Sequence, residues 1–441
     1  MASRQRWCVG PAISVFVLTL APLAYAQEHW VATWAASPQE TRAFPFGPPP
    51  PATAAPAQPT PPNQPPAPAP PPPIMSFQNQ TARMIVRTSI GGRRLRVELS
   101  NVFGTKPLTV GSAHVALREK DSAIVTGTDR ALAFSGKASF TIPPGAQALS
   151  DAVDLNVPPL SDLAISLYLP GETGPPTMHN TGLHTTYIAS GDLASAAAIA
   201  NPAMTRAAWY FISGVHVAAP ADAGVIVAFG DSITDGATST VDADKSWPSQ
   251  FARRVLANPA TANLAVVNEG ISGTRVLRDL AGANALARLD RDVFSQPGVK
   301  WMTLMEGIND IGRATGRGAQ ATDAVTADEV IAGLRQIVDR AHLHGIKVLG
   351  ATLTPYEGAA YYSETGEAMR QAVNRWIRTG AAFDAVVDFD SVVKDPANAL
   401  QIKPDFNIRD HLHPNDAGYQ AMAEAIDLAI FGGRAVSAAA R

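Results

Sequence analysis

The sequence predicts an all-β sandwich or jelly roll followed by an α/β domain whose parallel sheet is covered by helices. Three observations carry that expectation. The chain has 441 residues, about three times the ~150 of a typical single domain. Between Thr81 and Ala219, short runs of alternating apolar and polar residues recur between turn signals, with no long helical pattern. After Pro220 the runs become almost wholly apolar and alternate with stretches of helical period. Hydrophobic residues make up 46% and charged residues 17%, a composition that buries a core and is not that of a disordered chain. A formal charge of −3 supplies no electrostatic footprint for nucleic acid or an anionic membrane surface, and those partner classes are excluded.

The chain opens with Arg4 and Arg6, an apolar run from Trp7 to Leu23, and Ala24-Tyr25-Ala26. A basic region, an apolar region and an Ala-x-Ala site describe a secretory signal peptide over residues 1–26, cut after Ala26, and hence a secreted or periplasmic protein. The rival is an uncleaved anchor, but the run contains Pro11 and Pro22 and is short for a spanning helix. After cleavage no integral membrane span is expected. Cleavage takes Arg4 and Arg6 away and moves the formal charge from −3 to −5. It also removes Cys8, the only cysteine, so neither a disulfide nor a cysteine metal site is expected in the mature chain.

The first domain is expected over 27–220. His29 to Ala35 reads as a strand carrying Trp30 and Trp34. Residues 48–73 hold 15 prolines, which lack amide donors and cannot pack a core, so this run is read as an extended loop inserted within the domain; a proline-recognition ligand is the alternative. Strands follow at Arg83–Thr88, Arg94–Leu99, Ser112–Leu117, Leu163–Leu169 and Trp209–Ser213, punctuated by Gly91-Gly92, Pro143-Pro144, Pro158-Pro159 and Gly171. The second domain is expected over 221–433, with a tail at 434–441. Its strands are Val225–Phe229, Leu264–Val267, Trp301–Met305, Ile346–Thr352 and Ala385–Asp388. Its helices are Trp247–Leu256, Ala327–His342, Glu367–Arg378 and Asp416–Ile430.

Ligands in open α/β sheets bind beyond the carboxyl ends of the strands. The first three loops there contain Gly230-Asp231-Ser232, Asn268-Glu269-Gly270-Ile271-Ser272-Gly273 and Gly307-Ile308-Asn309-Asp310. The last helix is preceded by Asp410-His411-Leu412-His413, in which Asp and His three apart can meet on a tight turn, one imidazole nitrogen donating to the carboxylate and the other free to take a proton. Metal binding by His411 and His413 with His342 and His344 is the rival; no third and fourth ligands follow at regular spacing. A base needing a serine partner fits better. Asp231 reads as structural, pinning the turn before Ser232.

In identity, order and spacing these four elements resemble the blocks of the SGNH (GDSL-type) serine hydrolases over residues 222–433. The resemblance implies a three-layer flavodoxin-like fold with Ser232 as nucleophile, His413 and Asp410 completing the triad, and the backbone amides of Ser232 and Gly273 with the side-chain amide of Asn309 forming the oxyanion hole. Gly273 is preferred to Gly270 because it occupies the family's Ser-Gly position. Ile233 stands where the family name has Leu, a conservative apolar change. The Gly-x-Ser-x-Gly elbow of α/β-hydrolases is not the pattern here. The N-terminal region, with Arg83–Arg87, Leu99–Gly104 and the run from His179 to His184, looks more loosely like the β-sandwich preceding this domain in secreted bacterial lysophospholipase-L1-like esterases; His179 and His184 are read as structural.

The function implied is a secreted carboxylic-ester hydrolase working through an acyl-enzyme, with a small-molecule or glycan ester as substrate and neither cofactor nor metal. A carbohydrate O-acetylesterase is the enzymatic alternative, and a catalytically silent polysaccharide-binding protein the alternative from another class. The sandwich is read as a packing partner walling one side of the cleft, with carbohydrate binding as its alternative. Tyr356, Tyr361, Tyr362 and Trp247 are candidates to line the pocket, with packing the other reading for each.

Overall fold

The computed structural model of the chain describes residues 28–41 and 76–432. The expected signal segment 1–26, the proline-rich run 48–73 and the expected tail 434–441 lie outside the described residues. Among the described residues no helix is long and apolar enough to cross a membrane.

The N-terminal part is a β-sandwich. Its main strands are β1 (Trp30–Ala35), β2 (Gln80–Arg87), β3 (Gly92–Ser100), β4 (Ser112–Lys120), β5 (Asp162–Leu169), β6 (Thr186–Ser190) and β7 (Ile212–Ala218). One sheet runs β1-β7-β3, with Gln147–Leu149 and Val153–Val157 completing it beside β3; the other runs β6-β2-β5-β4 with short strands at both edges, and the main pairings in both are antiparallel. Alternation sorts the side chains: Leu95, Val97 and Leu99 from the first sheet meet Met84, Val86, Val115, Ile165 and Leu167 from the second. Trp34 meets Trp209 edge to face, with ring centroids 4.9 Å apart.

The run Trp209–Ser213, expected as one strand, is broken. Trp209–Tyr210 pairs with Thr177–His179 in a small third sheet, and β7 starts only at Ile212. Between them Phe211 adopts φ 59°, a left-handed conformation costly for an aromatic residue. Burial of its ring against Phe77, centroids 5.8 Å apart, opposes that cost.

From Gly224 the architecture is an α/β fold built on one parallel sheet. The strands are β8 (Gly224–Gly230), β9 (Leu264–Gly270), β10 (Val299–Met305), β11 (Lys347–Ala351) and β12 (Ala385–Val387), all parallel in the order β9-β8-β10-β11-β12. This is the 2-1-3-4-5 order of flavodoxin-like sheets, with its topological switch between the first and third strands. The helices include α1 (Ser232–Asp235), α2 (Trp247–Ala257), α3 (Ile308–Thr315), α4 (Ala327–Leu343), α5 (Glu364–Thr379) and α6 (Asp416–Ala425), with further short ones at Ala285–Leu289 and Phe389–Val393. Helix α6 is shorter than the expected Asp416–Ile430. Its backbone turns extended at Ile426, which buries that side chain, while Arg254 donates to the carbonyls of Ala423 and Ile426 at the helix end.

The two faces of β8 bury different partners. Ile226 and Ala228 pack with Trp247 and Phe251 of α2 and Tyr419 and Met422 of α6. Val225, Val227 and Phe229 belong to a core that includes Val330 and Leu334 of α4, Ile377 of α5 and Val31, Ala32 and Trp34 of β1. The sandwich and the α/β domain therefore share one hydrophobic core.

Candidate active site

At the carboxyl ends of β8, β9 and β10 the loops singled out from the sequence converge. Gly230 leads into α1, and a β-carbon there would lie 2.2 Å from the Met305 carbonyl oxygen, so no other residue fits. Asp231 caps α1 by accepting from the Ile233 amide at 3.0 Å, as expected of a residue pinning the turn. Burial pushes its carboxyl up to about 7, against the opposing influence of that amide and of His413. Ser232 is thereby held at the first turn of α1.

Ser232 Oγ lies 2.8 Å from His413 Nε2, and His413 Nδ1 lies 2.6 Å from Asp410 Oδ2. Asp410 Oδ1 accepts the backbone amides of Leu412 at 2.9 Å and His413 at 3.0 Å. The turn is achieved with positive φ at Arg409 (79°) and His411 (59°). Although burial opposes it, His413 and these two amides hold the Asp410 carboxyl below the usual carboxylate range. An ionised Asp410 fixes the proton on Nδ1 and leaves the Nε2 lone pair facing the seryl hydroxyl. The geometry is that of a serine, a base and a group orienting the base.

Gly273 follows β9 with φ 81°, a conformation glycine adopts at no steric cost. Gly270, the other candidate, ends β9 where a β-carbon would sit 2.2 Å from the Asp235 amide nitrogen, so its role is to let α1 pack. Asn309 lies in the first turn of α3, where the sequence pattern suggests a loop. Its Nδ2 donates to the Thr274 carbonyl at 2.9 Å, and its Oδ1 accepts from the Tyr361 hydroxyl at 3.2 Å. An amide nitrogen carries two hydrogens, so Thr274 engages one of them. Asp310 accepts the amides of Val276 at 2.7 Å and Leu277 at 3.1 Å, tying α3 to the loop after β9. Burial raises its carboxyl to about 6.

Beneath these loops lies a support that sequence reasoning missed. Fully buried Arg288 donates to the carbonyls of Gly230 at 2.8 Å and Glu269 at 2.7 Å, and its guanidinium sits 4.0 Å from the Phe229 ring centroid. It binds the ends of β8 and β9, from which the Ser232 and Gly273 loops spring. It also donates to Ser37 Oγ at 3.1 Å and Asp292 at 3.1 Å.

The remaining candidates separate. His342 pairs with Asp384 at 2.8 Å and His344 stacks on Phe294 at 4.1 Å; both sit at the end of α4 that feeds the amino end of β11, away from the strand ends bearing Ser232. With both nitrogens of His413 engaged, the rival metal set is not assembled, and among the described residues no group of three or more His, Cys, Asp or Glu is placed to hold a metal ion. Trp247 is core, packed on Phe389 at 5.6 Å. Tyr356 is buried beside Ile308, with half-buried Tyr361, Tyr362 and Leu412 packed against that pair next to the triad. His184 pairs with Asp244 at 2.9 Å; against burial, Asp242 and Asp244 raise it to about 9. His179 is buried against Asp235.

Residues 228–421 match the model of the GDSL-like lipase/acylhydrolase family. No curated protein matches the chain. Among solved structures the chain is similar to the acetylxylan esterase Axe2 from Geobacillus stearothermophilus, at 23% identity and a TM-score of 0.37 over 46% of this chain and 91% of that one. It is also similar to a GDSL-like lipase from Bacteroides thetaiotaomicron, at 21% identity and a TM-score of 0.34 over 47% of this chain and 87% of that one.

Proposed function

We propose that the chain is a secreted or periplasmic serine ester hydrolase that cleaves small-molecule or glycan carboxylic esters through an acyl-enzyme, a reading supported by the match of residues 228–421 to the GDSL-like lipase/acylhydrolase family model. The observation that carries this reading is the unbroken sequence of contacts from Ser232 Oγ to His413 at 2.8 Å and from His413 to Asp410 at 2.6 Å. As Ser232 Oγ attacks the ester carbonyl, His413 takes its proton and Asp410 stabilises the imidazolium. Negative charge grows on the carbonyl oxygen, where the amides of Ser232 and Gly273 and the Nδ2 of Asn309 act as donors. His413 then protonates the departing alcohol, and water repeats the sequence on the acyl-enzyme. The basic start, apolar run and Ala24-Tyr25-Ala26 support the export assignment.

A fluorophosphonate tests the reading: one covalent adduct per chain on Ser232, absent in Ser232→Ala, is expected. A folded wild type that takes no label overturns it in favour of a silent binding protein. Esters of graded acyl length run beside acetylated xylan then assign the acyl group and alcohol.

Tyr361 supplies a finer expectation. By holding Asn309 Oδ1 its hydroxyl fixes which way the amide faces, so Tyr361→Phe is expected to lower kcat about five-fold, the equivalent of one ordinary hydrogen bond at about 1 kcal/mol, with KM unchanged. Steady-state kinetics on a short-chain ester measures it.

A further inference from the structure

His179 belongs to the sandwich, at the end of the strand Thr177–His179, yet its ring points at the hydrolase domain. Nδ1 lies 2.9 Å from the Ser37 carbonyl oxygen and Nε2 lies 3.1 Å from Asp235 Oδ1. A carbonyl and a carboxylate only accept, so both ring nitrogens donate and the ring is an imidazolium. Burial works against that charge, while Asp235 and the Ser37 carbonyl outweigh it and raise the pKa.

The partner of that ring is unusually placed. Asp235 is the last residue of α1, the helix that Ser232 begins. Its other oxygen, Oδ2, accepts from Ser272 twice, from the backbone amide at 2.8 Å and from the hydroxyl at 2.6 Å. The Ser272 hydroxyl also lies 3.0 Å from Thr181 Oγ1, two residues beyond His179 in the sandwich. Ser272 immediately precedes Gly273. One carboxylate therefore joins the helix of the nucleophile, the loop bearing an oxyanion donor and a cation from the other domain.

We propose that His179 and Thr181 are positioning residues for ester hydrolysis: through Asp235 and Ser272 the β-sandwich sets the direction of the Gly273 amide relative to Ser232. The inference rests on the serine-hydrolase reading above. An amide aimed at a developing oxyanion loses effect on small displacement, and a misplacement of about 1 Å costs on the order of 10²-fold in rate. Ground-state binding does not depend on that amide, so the loss falls on kcat.

The test measures kcat and KM on one ester, inhibition by a trifluoromethyl ketone that forms a tetrahedral adduct, and the active fraction by fluorophosphonate titration. The variants are His179→Phe, His179→Gln, Thr181→Val and Ser232→Ala. The expected result is a kcat per labelled site lowered about 10²-fold in His179→Phe and about five-fold in Thr181→Val. KM stays within about two-fold, and the ketone weakens in parallel with kcat. His179→Gln, which keeps a donor toward Asp235, recovers most of the loss. Wild-type kcat per labelled site in folded His179→Phe or Thr181→Val overturns the inference, as does a Gln variant as impaired as Phe, which would assign the effect to ring packing. Should His179→Phe fail to fold, Thr181→Val decides alone. Persisting turnover in Ser232→Ala would instead remove the serine-hydrolase reading.

Discussion

Ser232→Ala is expected to lower ester turnover by roughly 10⁴–10⁶-fold with the fold intact, and His413→Ala to do the same, as in protease triads where nucleophile and base act as one unit. Ser232 Oγ and His413 Nε2 are 2.8 Å apart, so removing either side leaves the other with nothing to activate or nothing to deprotonate. The fold survives because α1 is capped by the Asp231 side chain on the Ile233 amide and closed at Gly236, neither of which uses the seryl hydroxyl. Asp410→Ala costs less, about 10⁴-fold, since the imidazole remains and loses only its orientation and the stabilisation of its charged form. The measurement is kcat/KM beside circular dichroism and a thermal melt. A folded Ser232→Ala protein with more than about a tenth of wild-type activity would falsify the assignment of the nucleophile.

Asn309→Ala is expected to lower kcat by about 10²–10³-fold with little change in KM, the cost of losing one oxyanion donor. The rival is a purely structural asparagine. Asn309 does hold the loop after β9 through the Thr274 carbonyl at 2.9 Å, so some fall in melting temperature accompanies the alanine variant. Asn309→Asp separates the two roles. It keeps the shape but exchanges a donor for a carboxyl, assayed well above pH 7 so that it is ionised even beside Asp231 and Asp310, whose carboxyls burial pushes up to about 7 and about 6. A new anion there repels the charge of the transition state, and kcat falls at least as far as in Asn309→Ala. Near-wild-type kcat in the aspartate variant removes Asn309 from the oxyanion hole.

The strands of the parallel sheet were legible because each is buried on both faces and so reads as an apolar run, as in Val225–Phe229. The site was legible because its chemistry sits in short contiguous blocks, with Asp410 and His413 on one turn. Elements set by distant contacts were not. Phe211 takes a left-handed conformation that no local preference announces, since its reward is burial against Phe77. α3 escaped because Gly307, Gly312 and Gly316 punctuate a stretch of only eight helical residues. Arg288 sits among Ala285, Leu286 and Leu289, and nothing near it in sequence names its partners, Gly230 and Ser37. His179 likewise meets Asp235 only in three dimensions.

The shared core bears on how this protein can change over generations. β1 lies where a covering layer of the parallel sheet would otherwise be needed. Val31 fills the space over Gly298, where a β-carbon would come within 2.7 Å of it, and the Ala32 amide donates to the Pro297 carbonyl at 2.9 Å. On the other side, the Val266 amide in β9 donates to Ser89 Oγ at 2.9 Å. Modules that meet through a polar linker can be shuffled between genes and keep working. Here a recombination event near Pro220 would separate Val31 from Gly298 and Ser37 from Arg288 in one step, leaving each parent's half to meet a surface shaped for another. The two halves are thus shaped for one another, and exchanging either alone would leave the other's buried face without its match.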